Sequence, residues 1–208
     1  MNSKLLFVFV GLLVREAVGH GMMLDPPNRS SVWRVNPRAL KDYDDNSNFC
    51  GSAYVQHYKN GGKCGLCGDS YSDPHPQDNE NTGKYGAGLI AGTYEAGSVI
   101  DVKIRLTANH LGTFTYSLCK LEDPKAPESG EDCFIPLMLE DGSSQYNVTS
   151  NEFNIINKVQ LPEEPCERCV LRWHYTAGNN WGVCDDGTSG LGCGPQETFR
   201  SCSDIVIQ

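Results

Sequence analysis

The stretch VIDVKIRLT, residues 99–107, decides the fold class of this chain, because apolar and polar residues alternate along its length. The apolar positions are Ile100, Val102, Ile104 and Leu106, and the polar positions between them are Asp101, Lys103 and Arg105. Strict alternation predicts a β-strand with one buried face. The run ANHLG at 108–112 breaks the pattern, and a second alternating run follows at 114–119. We therefore predict two strands whose connection carries His110, fixed by the sheet and still exposed.

The rest of the chain predicts further strands and long loops. Strands are expected at 153–161, 170–175 and 197–207, and no stretch shows a long amphipathic helical stripe. Residues 20–34 predict an extended arm or loop, 36–48 a solvated surface loop, and 49–98 a loop-rich region held by disulfide bridges. The sequence contains no repeat, linker or second domain, so this pattern predicts one all-β domain, an antiparallel β-sandwich.

Residues 1–19 have the pattern of a secretory signal peptide. Lys4 precedes the apolar run LLFVFVGLLV at 5–14, and the small residues Ala, Val and Gly follow at 17–19. The apolar run is shorter than the roughly 20 residues that a membrane-spanning helix needs. We therefore predict a secreted, extracellular protein in which residues 20–208 form a single domain.

The position of the cut matters because of the residue that follows it. A cut after Gly19 frees the α-amine of His20 beside its own imidazole, so one residue offers two nitrogen ligands. His110 would supply a third nitrogen, and three nitrogens in a T-shaped arrangement suit copper. An α-amine has a pKa of about 7.7–8.0 and loses its proton at modest cost near neutral pH. The charged pair Arg15-Glu16 leaves a neighbouring cut at Ala17 as an alternative.

The charge of the chain limits its partners. The formal net charge is −9, and removal of residues 1–19 would make it −10 over 189 residues. An acidic protein is a poor partner for nucleic acid and for anionic membranes, so we predict neither. An uncharged polysaccharide is compatible with this charge, and we expect a monomer.

All ten cysteines follow residue 19, and their even number predicts five disulfides in an oxidising compartment. They are Cys50, Cys64, Cys67, Cys119, Cys133, Cys166, Cys169, Cys184, Cys193 and Cys202, and their pairing stays open. The two CxxC pairs, at 64–67 and 166–169, also mimic a four-cysteine zinc site, but the leader favours bridges. The sequons at Asn28 and Asn147 predict two glycosylation sites.

The other three histidines are expected to have ordinary roles, because a single histidine in a secreted protein is usually a surface or hydrogen-bonding residue. His75 lies between two prolines, which suits an exposed loop, and His57 is expected to resemble it. His174 alternates with Trp173 and is expected to point outward, with a role in supporting a nearby ligand as the alternative.

The last predicted strand adds two candidates to the site. Glu197, Phe199 and Ser201 project to one side of that strand. Phe199 beneath the metal would block an axial position without donating a ligand to it. Glu197 would then reach the edge of the open coordination side.

Six motifs of the chain belong together. They are His20-Gly21, DPPNRSSVWR at 25–34, Ala108-Asn109-His110, the stretch from CERC to Trp173 at 166–173, GNNWG at 178–182 and FRSCSDI at 199–205. Together they resemble the lytic polysaccharide monooxygenases, in particular the animal-type branch, auxiliary activity family 15. The resemblance covers essentially all of residues 20–208. It implies an immunoglobulin-like or fibronectin-like sandwich with one copper ion on a flat, exposed face, held by His20 and His110.

The same resemblance assigns roles to two further residues. Ala108 would shape the open side of the copper. Phe199 would occupy the axial position in which many members of the family have tyrosine. This departure leaves the nitrogen ligands intact and affects only the redox tuning that depends on a phenol.

The activity that the resemblance implies is oxidative cleavage of β-1,4 glycosidic bonds in crystalline chitin, which is favoured over cellulose. Copper would work with an external electron donor and with O2 or H2O2 as co-substrate. One alternative is a non-catalytic copper protein with the same ligands, and another is a disulfide-rich glycan-binding protein without redox chemistry. Oxidised oligosaccharide products would distinguish the enzyme from both alternatives.

Overall fold

The structure, a computed structural model, describes residues 20–208 and contains eleven strands in that range. The strands are β1 His20–Asp25, β2 Gly92–Tyr94, β3 Val99–Ala108, β4 Thr113–Lys120, β5 Ile135–Leu137, β6 Tyr146–Asn147, β7 Asn154–Gln160, β8 Cys166–Thr176, β9 Trp181–Val183, β10 Ser189–Leu191 and β11 Thr198–Ile207. Three short helical turns, Val32–Arg34, Val55–Lys59 and Glu131–Cys133, lie in the long connections. The predicted all-β class is confirmed.

Two sheets form the sandwich. The smaller sheet has the order β1-β3-β7, and the larger has the order β2-β11-β8-β4-β5, with β6 paired to the start of β4. The pairs are antiparallel except β2 with β11, which is parallel. Strands β9 and β10 pair with each other in a separate hairpin. The domain is therefore the expected sandwich of packed sheets.

The strands differ in how many of their faces are buried. In β3 the residues alternate between buried and exposed, as the sequence predicts, because only one face of the small sheet is covered. In β8 most residues are buried, and in β11 nearly every residue is, because both faces of these strands are covered. Trp173 and Ile205 face the main core, whereas Val170 and Cys202 belong to a second apolar layer on the outer face of the large sheet.

The arm predicted at 20–34 is partly wrong, because His20–Asp25 forms β1 and pairs with β3. The sequence HGMMLD hides this strand, since Gly21, Met22 and Met23 are buried consecutively. Two register shifts, at 20–21 and between 23 and 25, account for the lost alternation. The remainder of the arm is a loop closed by a 3-10 turn.

The loop that follows β1 is anchored by a buried ion pair. Arg29 donates to Asp204 at 2.8 Å and to Glu128 at 2.7 Å, and all three side chains are nearly inaccessible to solvent. In the next loop Asp45, which is 1% exposed, accepts from Arg34, so the predicted solvated stretch 36–48 is tied down at its end. Removal of Arg29 would leave the buried carboxylates of Glu128 and Asp204 without the charge that compensates them.

The disulfide prediction is confirmed, and the zinc alternative is wrong. The ten cysteines, all within residues 20–208, pair as Cys50–Cys64, Cys67–Cys202, Cys119–Cys133, Cys166–Cys169 and Cys184–Cys193, and none is free. The two CxxC motifs therefore do not share a metal. The Cys67–Cys202 bridge joins the long 49–98 region to β11.

Burial disfavours one of the two predicted glycosylation sites. Asn28 is completely buried, and its side-chain amide donates to the carbonyl of Met23 at 3.1 Å and to the hydroxyl of Ser201 at 3.5 Å. A glycan on that nitrogen would have to displace both contacts and the surrounding core. Asn147, in contrast, is exposed on the short strand β6.

Within residues 20–208 no helix is long and apolar enough to span a membrane. The predicted signal peptide, residues 1–19, lies outside the described residues.

Candidate metal centre

The strand register brings His20 and His110 to the same end of the sandwich. His20 pairs directly with Ala108 at the end of β3, and facing residues in antiparallel strands have Cα atoms about 5 Å apart. His110 follows two residues later, which is at most about 7 Å of extended chain. The hydroxyl of Thr107 donates to the carbonyl of His20 at 3.4 Å and ties the first residue of β1 to β3.

Both main-chain polar groups of His110, its N–H and its carbonyl, are hydrogen-bonded. Its N–H donates to the phenol oxygen of Tyr175 at 3.0 Å, and its carbonyl accepts from the N–H of Gly178 at 2.8 Å. Leu111 and Gly112 then take positive φ values of 56° and 89°, and a Cβ on Gly112 would collide with the carbonyl oxygen of Thr176. His110 is 7% exposed, so it is more buried than the sequence predicts.

The imidazole of His110 faces Glu197. Its Nδ1 lies 3.5 Å from a carboxylate oxygen of Glu197, which is itself only 8% exposed. A carboxylate beside one ring nitrogen orients a histidine and leaves the other nitrogen, Nε2, available to a metal. This contact was not predicted from sequence, which placed Glu197 at the open edge of the site. Residue 197 precedes β11, so its spacing from Phe199 did not fix its direction.

Phe199 lies fully buried in a line of aromatic rings. It stacks on Tyr175 with centroids 5.5 Å apart and planes inclined by 24°, and it lies 6.3 Å from Phe49. Phe49 in turn approaches the ring of His20 edge-on at 6.3 Å. The aromatic line therefore runs from His20 through Phe49 and Phe199 to Tyr175, which contacts His110.

Sequence reasoning missed Phe49 and the role of Tyr175. The pairing of Tyr175 with Phe199 follows from the β8–β11 register, which the sequence does not show. Phe49 lies in a loop beside Cys50, where no periodicity points to it. Burial raises the pKa of Tyr175 to about 12, so its phenol is neutral near neutral pH.

The three remaining histidines have other contacts. The Nε2 of His57 lies 2.7 Å from the carbonyl of Gln196, and the largely exposed His75 contacts Glu80 at 2.8 Å. His174 lies opposite Arg200 on the outer face of the large sheet, so it points away from Trp173 as predicted. Burial and the neighbouring guanidinium groups of Arg200 and Arg172 lower the pKa of His174 to about 3, so it is neutral.

The side chains of His20 and His110 alone are too few to hold a metal ion. In the described part of the chain no three His, Cys, Asp or Glu side chains are grouped so as to hold a metal ion. A metal at this end of the sandwich therefore needs a further ligand besides His20 and His110. The α-amine of His20 would provide it, and an all-nitrogen set of this kind is one that copper(II) favours.

Comparisons with known proteins define the class of the protein. A family model described as "Lytic polysaccharide mono-oxygenase, cellulose-degrading" matches residues 20–205. The chain belongs to the lytic polysaccharide monooxygenase family and is a copper-dependent polysaccharide monooxygenase. Within that family it belongs with auxiliary activity family 15, as the resemblance predicts.

Two solved structures illustrate the match. A family 15 lytic polysaccharide monooxygenase from Thermobia domestica, in the Cu(I) state, is 44% identical, with a TM-score of 0.87. The match covers 90% of this chain and 98% of that one. The cellulose-active enzyme CelS2, in complex with copper, is 16% identical with a TM-score of 0.49, over 90% of this chain and 98% of its own. A search of curated proteins gives no match.

Proposed function

We propose that the mature chain begins at His20 and holds one copper ion through three nitrogens, namely the amine and ring of His20 and the ring of His110. The family match supports this boundary, because it begins at residue 20. The facing positions of His20 and Ala108 and the carboxylate beside the ring of His110 support the ligand set. Secretion of the chain follows from the same proposal, since cleavage of a signal peptide frees the amine.

Each neighbouring residue has a role in this proposal. Copper, when bound, would supply the redox chemistry, with O2 or H2O2 as co-substrate and an external electron donor, for oxidation beside a β-1,4 glycosidic bond. Glu197 would orient His110 toward the ion, and the buried ring of Phe199, which has no donor atom, would add no ligand. Ala108, opposite His20, has only a methyl side chain and leaves the remaining side open.

The proposed substrate is crystalline chitin, with cellulose as the weaker substrate. The resemblance to auxiliary activity family 15 supports the preference, and the acidic charge of the chain fits a neutral polymer. Two cavities of about 740 and 630 Å³ open elsewhere, and neither is lined by His20 or His110. A site outside these cavities suits an insoluble chain that lies on the protein surface. A monomer is sufficient for this contact.

The substrate proposal is tested by mass spectrometry of the soluble products from chitin and from cellulose, with copper, a reductant and protein that has a free His20 amine. We expect oxidised chito-oligosaccharides in clear excess over oxidised cello-oligosaccharides. Equal or greater release from cellulose would overturn the preference. Copper binding without oxidised products from any glycan would favour the non-catalytic alternative.

We also propose one N-linked glycan, on Asn147, because this residue of β6 is exposed. Peptide mapping of protein secreted by a eukaryotic host should find the glycan on the Asn147 peptide and an unmodified Asn28. An unmodified Asn147 peptide would contradict the proposal.

A further inference from the structure

Tyr175 lies between His110 and Phe199, two residues of the proposed copper site. It is completely buried in β8 and pairs in register with Phe199 of β11. Its phenol oxygen accepts the N–H of His110 at 3.0 Å, while its ring stacks on Phe199. One side chain therefore contacts both the histidine of the loop and the ring proposed to lie beneath the metal.

The hydrogen bond from His110 is made outside any strand ladder. β3 ends at Ala108 and β4 begins at Thr113, so the N–H of His110 is not paired by either strand. Because His110 is 7% exposed, loss of its acceptor would leave a buried N–H without a partner. The phenol oxygen of Tyr175 thus holds the N–H of His110, while the N–H of Gly178 holds its carbonyl.

Two further aromatic rings pack against the ring of Tyr175. Trp173, two residues earlier in β8, stacks on it with centroids 5.8 Å apart, and Phe114 meets it edge-on at 5.0 Å. A ring packed among three aromatic neighbours has little freedom to shift. The position of its oxygen is therefore set by the core and passed to His110.

We propose that Tyr175 is a positioning residue of the metal centre, which fixes the main chain of His110 through its oxygen and supports Phe199 through its ring. The inference rests on the proposed function, because it assumes that His110 binds copper. It extends that function by assigning a role to a residue that does not touch the metal. The third nitrogen ligand and the axial side are then coupled through one side chain.

The same core contains a matched control. Tyr116 of β4 is 3% exposed, and its phenol donates to the side-chain carbonyl of Asn157 at 2.7 Å. That hydrogen bond joins β4 to β7. Tyr116→Phe therefore removes one buried tyrosine hydroxyl, as Tyr175→Phe does, but leaves the contact to His110 in place.

The experiment compares wild type, Tyr175→Phe and Tyr116→Phe, each with a free His20 amine. Copper(II) affinity is measured by competition with a chelator, and the copper(II) EPR spectrum is recorded for each protein. Loss of a group that orients a metal ligand typically lowers metal affinity about 10- to 100-fold. We expect a loss of about tenfold or more and a changed spectrum for Tyr175→Phe. Tyr116→Phe should match wild type in both, although both variants melt at lower temperature.

A metal-free measurement separates positioning from general destabilisation. Hydrogen exchange of the His110 amide in the apoprotein should become faster in Tyr175→Phe and remain slow in Tyr116→Phe. If Tyr175→Phe does not fold, the wild-type apoprotein decides the matter: an unprotected His110 amide overturns the inference. A folded Tyr175→Phe with the affinity, spectrum and exchange of Tyr116→Phe overturns it as well.

The two proposals fail in distinguishable ways. If His110→Ala binds copper as tightly as wild type, the proposed ligand set is wrong. If His110→Ala loses affinity but Tyr175→Phe does not, the ligand set holds and only the role of Tyr175 is wrong.

Discussion

The two histidines that we propose as copper ligands are held by different parts of the fold. His20 is the first residue of β1, and the ladder with β3 sets its place. His110 lies in the loop after β3, where Tyr175, Gly178 and Glu197 contact it. Strand register therefore fixes one ligand, whereas side chains and loop geometry fix the other. His20 should be sensitive to changes at the chain end, and His110 to changes in residues that never touch the metal.

The largest effect is expected from a change at the chain end. One Gly placed before His20 converts its amine to a peptide nitrogen and removes it as a ligand. Oxidised product from chitin should fall to background while the melting temperature stays close to that of the mature protein. Product analysis and differential scanning calorimetry check both. Full activity of the extended protein would show that the amine is not a ligand.

A similar loss is expected for His110→Ala, which removes the third nitrogen. The five disulfides and the sandwich core should keep the variant folded. Product yield should fall to background, whereas the controls His75→Ala and His57→Ala should retain it. Retained activity in His110→Ala would contradict the ligand set.

A smaller effect is expected from the loop glycine after His110. Gly112→Ala places a side chain on a residue with left-handed φ, and the added Cβ would collide with the carbonyl oxygen of Thr176. The loop must then shift, so copper affinity should fall. The matched control is Gly142→Ala, at φ 82° with no atom within 4 Å of its added Cβ. Both should lose about 1–2 kcal/mol of unfolding free energy from the left-handed conformation alone. Equal copper affinity in the two variants would show that the loop tolerates the shift.

The smallest effect is expected for Phe199→Tyr, because it changes neither histidine nor the loop that carries His110. The added hydroxyl should alter the copper(II) EPR spectrum and the redox potential while copper binding is retained. Spectroscopy and potentiometry on the loaded protein provide the check. If both properties match wild type, Phe199 is an ordinary core residue.

The clearest prediction from sequence is β3, in which only one face is covered. The alternation in β3, the break at 108–112 and the return in β4 placed His110 at a strand connection. β1 was missed because its register shifts bury successive residues, and the disulfide partners depend on how the loops fold back. The contacts of Phe49 and Glu197 were missed for a related reason, namely their position in loops. Both lie outside strands, where no period reports direction.

The most direct test of the proposed copper site is an experimental structure of the copper-loaded chain that begins at His20. We expect one copper ion bonded to the amine and ring of His20 and to Nε2 of His110, at distances close to the roughly 2 Å of zinc–nitrogen bonds. The ring of Phe199 should lie on the axial side without bonding to the metal. A copper ion bound elsewhere, or rings of His20 and His110 more than about 8 Å apart, would contradict it, since such a gap exceeds two metal–nitrogen bonds.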